Sequence, residues 1–170
     1  MTVLRNAFLL AVEKHKNQKY GDNPYIVHLR DVEIILREFG VTNEDYLAAA
    51  WLHDVIEDTA THYSEVKQKT NTHVAEMVFA LTDEIGRNRK ERKQKTLPKL
   101  HACKDAILVK LADWIANLRD ARANNPGFLQ MYKKDFPDFK TACYDLVKSD
   151  THEAMWQAAE SILHRGKKGP

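Results

Sequence analysis

The chain has 170 residues, 44% apolar and 29% charged, the balance of one globular domain. A net charge of +2 makes no electrostatic case for nucleic acid or a membrane surface. No stretch approaches the ~20 apolar residues of a membrane span, and Ala7–Val12 is too short for a secretory core.

Residues 3 to 18 place Leu4, Phe8, Ala11, Val12 and His15 at a helical period. The turn-rich Lys19-Tyr20-Gly21-Asp22-Asn23-Pro24 ends that pattern. Tyr25 to Phe39 reads as a second helix, stopped by Gly40. His28 lies in its first turn beside the apolar stripe, where a histidine is either a packed or capping residue or a ligand. Thr42 or Asn43 then caps a central helix, with Glu44 and Asp45 suited to the dipole at its start.

That helix continues through Tyr46-Leu47-Ala48-Ala49-Ala50 into Trp51-Leu52-His53-Asp54-Val55-Ile56-Glu57-Asp58-Thr59. Charged groups at the end of so apolar a run need partners. At 3.6 residues per turn His53 sits over Glu57 and Asp54 over Asp58. The functional reading is that His53 and Asp54 bind a metal, with Glu57 and Asp58 facing the same pocket. The plain alternative is the polar surface of a helix end.

Ser64–Lys69 and His73–Leu81 read as two further helices. Between Arg87 and Lys99 seven basic residues accompany one acid. Such a run is either a solvated face or a mobile basic flap over a polyanion. It carries no aromatic residue, which argues against single-stranded nucleic acid. Asp105–Ala121 is helical, and Asp113 interrupts its apolar face, with Asn117 one turn on. A buried aspartate there needs a cation, a donor or a proton. Residues 126–147 and 151–164 give two more amphipathic helices, and 166–170 a frayed basic tail. Cys103 and Cys143 lack metal or redox spacing, as reduced thiols of a cytoplasmic protein would.

The expected fold is therefore all-α, a compact bundle of roughly eight helices with room for at most one small hairpin. It forms a single domain over 1–165, with a motif-bearing core at 3–122 and C-terminal helices at 126–164. Four candidate ligands, His28, His53, Asp54 and Asp113, lie on three of its helices. Two imidazoles and two carboxylates suit Mn²⁺, Fe²⁺ or Zn²⁺, and such an ion makes bound water a better nucleophile. Imidazoles ligate only when neutral, so activity should fall as pH drops through about 6.

From about Phe8 to Arg122 the chain resembles the HD-domain phosphohydrolases, in particular the hydrolase domain of RelA/SpoT-type alarmone enzymes and the single-domain small alarmone hydrolases. The resemblance rests on His15-Lys16-Asn17-Gln18, Pro24-Tyr25-Ile26-Val27-His28, Ala49 to Thr59, Leu81-Thr82-Asp83, Glu91-Arg92-Lys93 and Val109-Lys110-Leu111-Ala112-Asp113, in order and at family-like spacing. It implies that His28, His53, Asp54 and Asp113 hold one Mn²⁺, with Fe²⁺, Zn²⁺ or Mg²⁺ as substitutes. It further implies that Glu57 and Asp58 orient and activate the water that releases pyrophosphate from the 3′ position of an alarmone nucleotide of the ppGpp or ppApp type. Asn117 and Lys19 match nucleotide-contacting positions. Arg92 and Lys99 are assigned to the terminal phosphates on charge alone.

The chain also departs from the family. It has Asp113-Trp114-Ile115-Ala116-Asn117 where a basic and a ring-bearing residue are usual, Lys19-Tyr20 where two cations are usual, and Leu29 where proline often follows the first metal histidine. These changes leave the ligand set whole and bear on the substrate. The rival substrate reading is a phosphatase for the 2′-phosphate of NADPH or another nucleotide. The rival from another class is a catalytically silent nucleotide-binding module. The implied partner is a small-molecule nucleotide, with no membrane, no nucleic acid, and a homodimer left open.

Overall fold

The computed structural model describes residues 2–164, so the basic tail at 166–170 lies outside the described residues. Helix α1 (Val3–Lys14) starts where the Thr2 hydroxyl accepts the Arg5 amide. It ends a turn sooner than its apolar period suggested. The chain then makes a hairpin, β1 (Lys19–Tyr20) against β2 (Asn23–Pro24), with Tyr20 opposite Asn23. Gly21 supplies the positive φ of +57° for its two-residue loop. Strands of two residues are too short to leave a period in the sequence. Helix α2 (Ile26–Glu38) follows, and Gly40, at φ +80°, closes it as expected.

Asn43 caps α3 (Glu44–Leu52) by accepting the Asp45 amide. Here the structure corrects the reading of one continuous central helix. Helix α3 stops at Leu52, His53 and Asp54 form a turn, and α4 (Val55–Asp58) is a single turn of its own. Next come α5 (Tyr63–Lys69), α6 (Thr72–Leu81), α7 (Arg89–Ala102) and α8 (Ala106–Asn124). Helix α9 (Pro126–Cys143), a 3₁₀ turn (Tyr144–Leu146) and α10 (Asp150–His164) complete the described chain. Ten α-helical segments among the described residues thus replace the roughly eight expected. Part of the difference is the broken central helix, and part is α7, formed by the basic run.

Helices α3 and α8 make the centre. Six successive residues of α3, Leu47 to Leu52, are buried, and α8 is buried on nearly every side. A helix apolar all round belongs in a core. Helix α1 packs on α3, α2 lies against both central helices, and α10 covers α8. Leu111 and Ile115, flanking Asp113, are fully buried. Truncating either to alanine should cost ~2–5 kcal/mol, so Asp113 rides on a rigid support.

Candidate metal centre and nucleotide cavity

The turn after α3, the first turn of α2 and the middle of α8 bring four donor atoms together. His28 Nε2 lies 3.3 Å from Asp113 Oδ1 and 4.0 Å from Asp54 Oδ2. His53 Nε2 lies 2.8 Å from Asp54 Oδ2 and 3.7 Å from Asp113 Oδ1. Ligands ~2.1 Å from one ion stand about 3.0 Å apart when adjacent and about 4.2 Å apart when opposite. All four separations fall in or close to that window. Of the four residues, His28, His53 and Asp113 meet as a group able to hold an ion, while Asp54 stands at its edge, close to the two histidines but outside that group.

The chemistry of the donors fits as well. The His53 Nδ1–H donates to the Ala50 carbonyl at 2.8 Å, which leaves Nε2 with a free lone pair. Among the described residues that Nε2 is buried without a hydrogen-bond partner, although Asp54 Oδ2 lies 2.8 Å away. Burial alone would raise the Asp54 carboxyl, but His53 pulls it down to about 2. Burial alone would lower His53, yet Asp54 and Asp113 hold its imidazolium well above the usual range.

Neighbouring side chains hold these ligands. The Tyr25 hydroxyl donates to Asp54 Oδ2 at 2.5 Å. Asn117 Nδ2 donates to Asp113 Oδ1 at 2.5 Å, and Lys110 Nζ reaches Asp113 Oδ2 at 3.2 Å. Burial opposes the charge on Lys110, but Asp113, Asp83 and Asp54 raise its pKa. The sequence reading missed Tyr25 and Lys110 as contributors, although both lie inside the family-like motifs.

The acidic pair divides. Glu57 lines the cavity beside the donors, and its Oε2 accepts the Asp83 amide at 2.9 Å. Burial pushes its carboxyl above the ordinary value. Asp58 points instead to Gln18, whose Nε2 donates to Asp58 Oδ2 at 2.7 Å. Gln18 in turn accepts at Oε1 from His15 Nδ1 at 2.7 Å, and the His15 ring stacks on Tyr25. Asp58 is thus tied to the first motif of the chain rather than exposed to the cavity.

That cavity has a volume of about 870 Å³, ample for a nucleotide. Its wall includes Tyr20, Asn117, Arg89, Lys90, Lys93, Trp114 and Tyr132. The basic run is not a loose flap. It is α7, and Arg89 Nε and Lys93 Nζ both donate to Asp135 Oδ2 of α9, at 2.6 and 2.8 Å. The structure does not bring Arg92, Lys99 or Lys19 to the cavity wall. Arg92 packs against Gly86, where an added Cβ would meet its backbone nitrogen at 2.8 Å. Lys99 binds the Thr82 carbonyl and Glu84, over the Phe79 ring. Lys19 is exposed on β1. Helix α9 also reaches the site, through Tyr132, Asp135 and Phe139. Trp114, where a basic residue is usual, stacks on Phe139 at 5.3 Å with Lys93 over its ring.

An all-helical fold with this histidine and aspartate set beside a nucleotide-sized cavity defines a class, the helical hydrolase domains that bind a divalent metal. The chain belongs to the HD-domain family, whose profile matches residues 7–135. It is 37% identical over 129 residues to the guanosine-3′,5′-bis(diphosphate) 3′-pyrophosphohydrolase MESH1 of Danio rerio, covering 73% of this chain and 72% of that protein. It is 38% identical to the Homo sapiens protein of the same name, over 68% of each. The bifunctional (p)ppGpp synthase/hydrolase SpoT of Escherichia coli is 36% identical over 72% of this chain and 18% of its own length. A solved structure described as "A metazoan ortholog of SpoT hydrolyzes ppGpp and plays a role in starvation responses" superposes with a TM-score of 0.77 at 28% identity, over 95% of this chain and 94% of that one. Among the described residues no helix is long and apolar enough to cross a membrane.

Proposed function

We propose that this chain is a Mn²⁺-dependent hydrolase that removes the 3′-pyrophosphate of guanosine 3′,5′-bis-pyrophosphate or its adenosine counterpart. The observation that carries this reading is the meeting of His28, His53 and Asp113 as a group able to hold an ion, with Asp54 Oδ2 2.8 Å from His53 Nε2 at its edge. The printed activity of the relatives supports the substrate. Bound there, the divalent ion would supply Lewis acidity, lowering the pKa of water and drawing charge from the phosphate. Fe²⁺, Zn²⁺ or Mg²⁺ could substitute.

Glu57 takes the proton of the attacking water, because one of its oxygens is fixed by the Asp83 amide and the other is left for water. The water oxygen bonds to the phosphorus nearest the ribose, the bond from that phosphorus to O3′ breaks, and pyrophosphate leaves. The departing ribose oxygen takes up a proton from solvent, and Glu57 returns to solvent the proton it took. Asp58 steadies α4 through Gln18. Lys110 offsets charge gathering on the phosphate beside Asp113. Arg89, Lys90 and Lys93 face the phosphates from α7. The free thiols of Cys103 and Cys143 suit an enzyme of the cytoplasm.

Product analysis with Mn²⁺ and four substrates tests the reading: the guanosine and adenosine tetraphosphates, NADPH, and a deoxynucleoside monophosphate. Pyrophosphate from either tetraphosphate supports it. Inorganic phosphate from NADPH alone would make the chain a 2′-phosphatase, and no product from any would make it a binding module.

A further inference from the structure

Tyr20 occupies one of the two positions where the family usually carries cations, yet its side chain turns inward. Its ring lies flat on that of His28, with centroids 4.7 Å apart and planes at 17°. Its hydroxyl donates to Asn117 Oδ1 at 2.9 Å. The Asn117 amide then donates to Asp113, to Oδ1 at 2.5 Å and to the backbone carbonyl at 3.0 Å. Both polar ends of Asn117 are thereby engaged within the protein.

His28 gives this arrangement its meaning. Metal-binding histidines usually donate their second ring nitrogen to a carbonyl or carboxylate, which fixes the ring. His53 does so through Ala50. His28 does not: its Nδ1 is buried with no hydrogen-bond partner among the described residues. On the Nδ1 side its ring is oriented by packing, with Tyr20 flat on it and Tyr25 and His53 edge-on. Tyr20 is itself placed by the hairpin, in the residue before Gly21.

We propose that Tyr20 is a positioning residue for the metal ligands, clamping the His28 imidazole with its ring and fixing the Asp113 carboxylate through Asn117. The inference rests on the metal reading given above. It also reassigns Asn117, which positions Asp113 instead of gripping the nucleotide. Through those two contacts the tyrosine serves the ion.

The test is calorimetric titration of metal-stripped protein with Mn²⁺, for the wild type, Y20F and Y20L, with kcat and KM for the guanosine tetraphosphate measured at saturating Mn²⁺. Y20F keeps the half-buried ring and loses only the hydroxyl. Its Mn²⁺ affinity should fall about tenfold, and that of Y20L by about 10–100-fold, the range for outer-shell partners of metal ligands. KM at saturating metal should stay at the wild-type value in Y20F. If Y20F raises KM and leaves Mn²⁺ affinity unchanged, Tyr20 contacts substrate and the inference is overturned. If Y20F only lowers the melting temperature, with affinity and KM both unchanged, Tyr20 is structural and the inference is again overturned. Absence of Mn²⁺ binding by the wild type would instead refute the metal reading itself.

Discussion

Glu57→Gln isolates the proton-accepting step from the rest of the site. The glutamine is isosteric, and its amide oxygen can accept the Asp83 amide that Glu57 Oε2 now accepts at 2.9 Å. Its NH₂ then faces the cavity, where a proton acceptor is needed and a donor is useless. None of the four donor atoms is altered, so metal binding should persist. A positioned general base contributes about 10²–10⁴-fold, so kcat should fall by that factor, about 2.7–5.4 kcal/mol of transition-state stabilisation. The pH profile adds a second signature. Burial raises the Glu57 carboxyl above its ordinary value, and the base must be ionised to act. The wild-type rate should therefore fall on the acid side at a pH above the usual glutamate range, and the variant should lack that limb. The assay is pyrophosphate release under saturating Mn²⁺, paired with metal analysis. A variant that retains metal and keeps kcat within about threefold would refute the assignment of Glu57 as base.

Three further outcomes follow from the electrostatics. In metal-free protein Asp54 and Asp113 outweigh the burial of His53 and raise its pKa; Mn²⁺ binding near neutral pH should therefore release protons, read by calorimetry in buffers of different ionisation enthalpy, and affinity should weaken as pH falls. The decline in activity at limiting metal should thus begin above pH 6, higher than the unperturbed imidazole value suggested; proton-independent binding between pH 6 and 8 would count against His53 as a ligand. His73 bridges Asp45 at 2.9 Å and Asp105 at 3.0 Å, contacts that raise its pKa, so its contribution is complete below the unfolded value of ~6.5 and lost as pH rises through the folded one. With His73 two-fifths exposed, His73→Gln should cost under about 1 kcal/mol in denaturant melts at pH 6 and nothing at pH 9; equal costs at both would exclude the ion pairs. Tyr25→Phe removes the hydroxyl donated to Asp54 at 2.5 Å and should weaken Mn²⁺ binding about tenfold, and unchanged affinity by calorimetry would show that Tyr25 does not hold Asp54.

The candidate donors at His53, Asp54 and Asp113 stood out in the sequence because each is a charged or polar group in a stretch whose neighbours are buried, whereas His28 alone could equally have been a packed residue. Asp113 on the apolar α8 is the clearest case. The break at His53–Asp54 was not legible, since Ala48 to Leu52 favours helix and no glycine or proline marks the turn. The hairpin at Lys19–Pro24 was too short to show a period. The cations went astray for a different reason. A flap has no phase, so Arg92 and Lys99 looked equivalent to their neighbours. Once the run is a helix, the apolar Leu97 and Leu100 mark its inward stripe, and stepping back by turns from Leu97 reaches Lys93 and Arg89. That signal was present and awaited only the helical reading. The aromatic wall from α9 was beyond reach, because nothing local to Tyr132 or Phe139 says which helix they will face.

The central claim is that side chains from α2, the turn after α3, and α8 hold one divalent ion. Elemental analysis of protein loaded with Mn²⁺ and freed of excess tests it most directly, comparing the wild type with Asp54→Ala and Glu57→Ala. One ion per chain in the wild type and in Glu57→Ala, and none in Asp54→Ala, is the result predicted. A wild type without metal, or an Asp54→Ala variant that keeps it, would contradict the account.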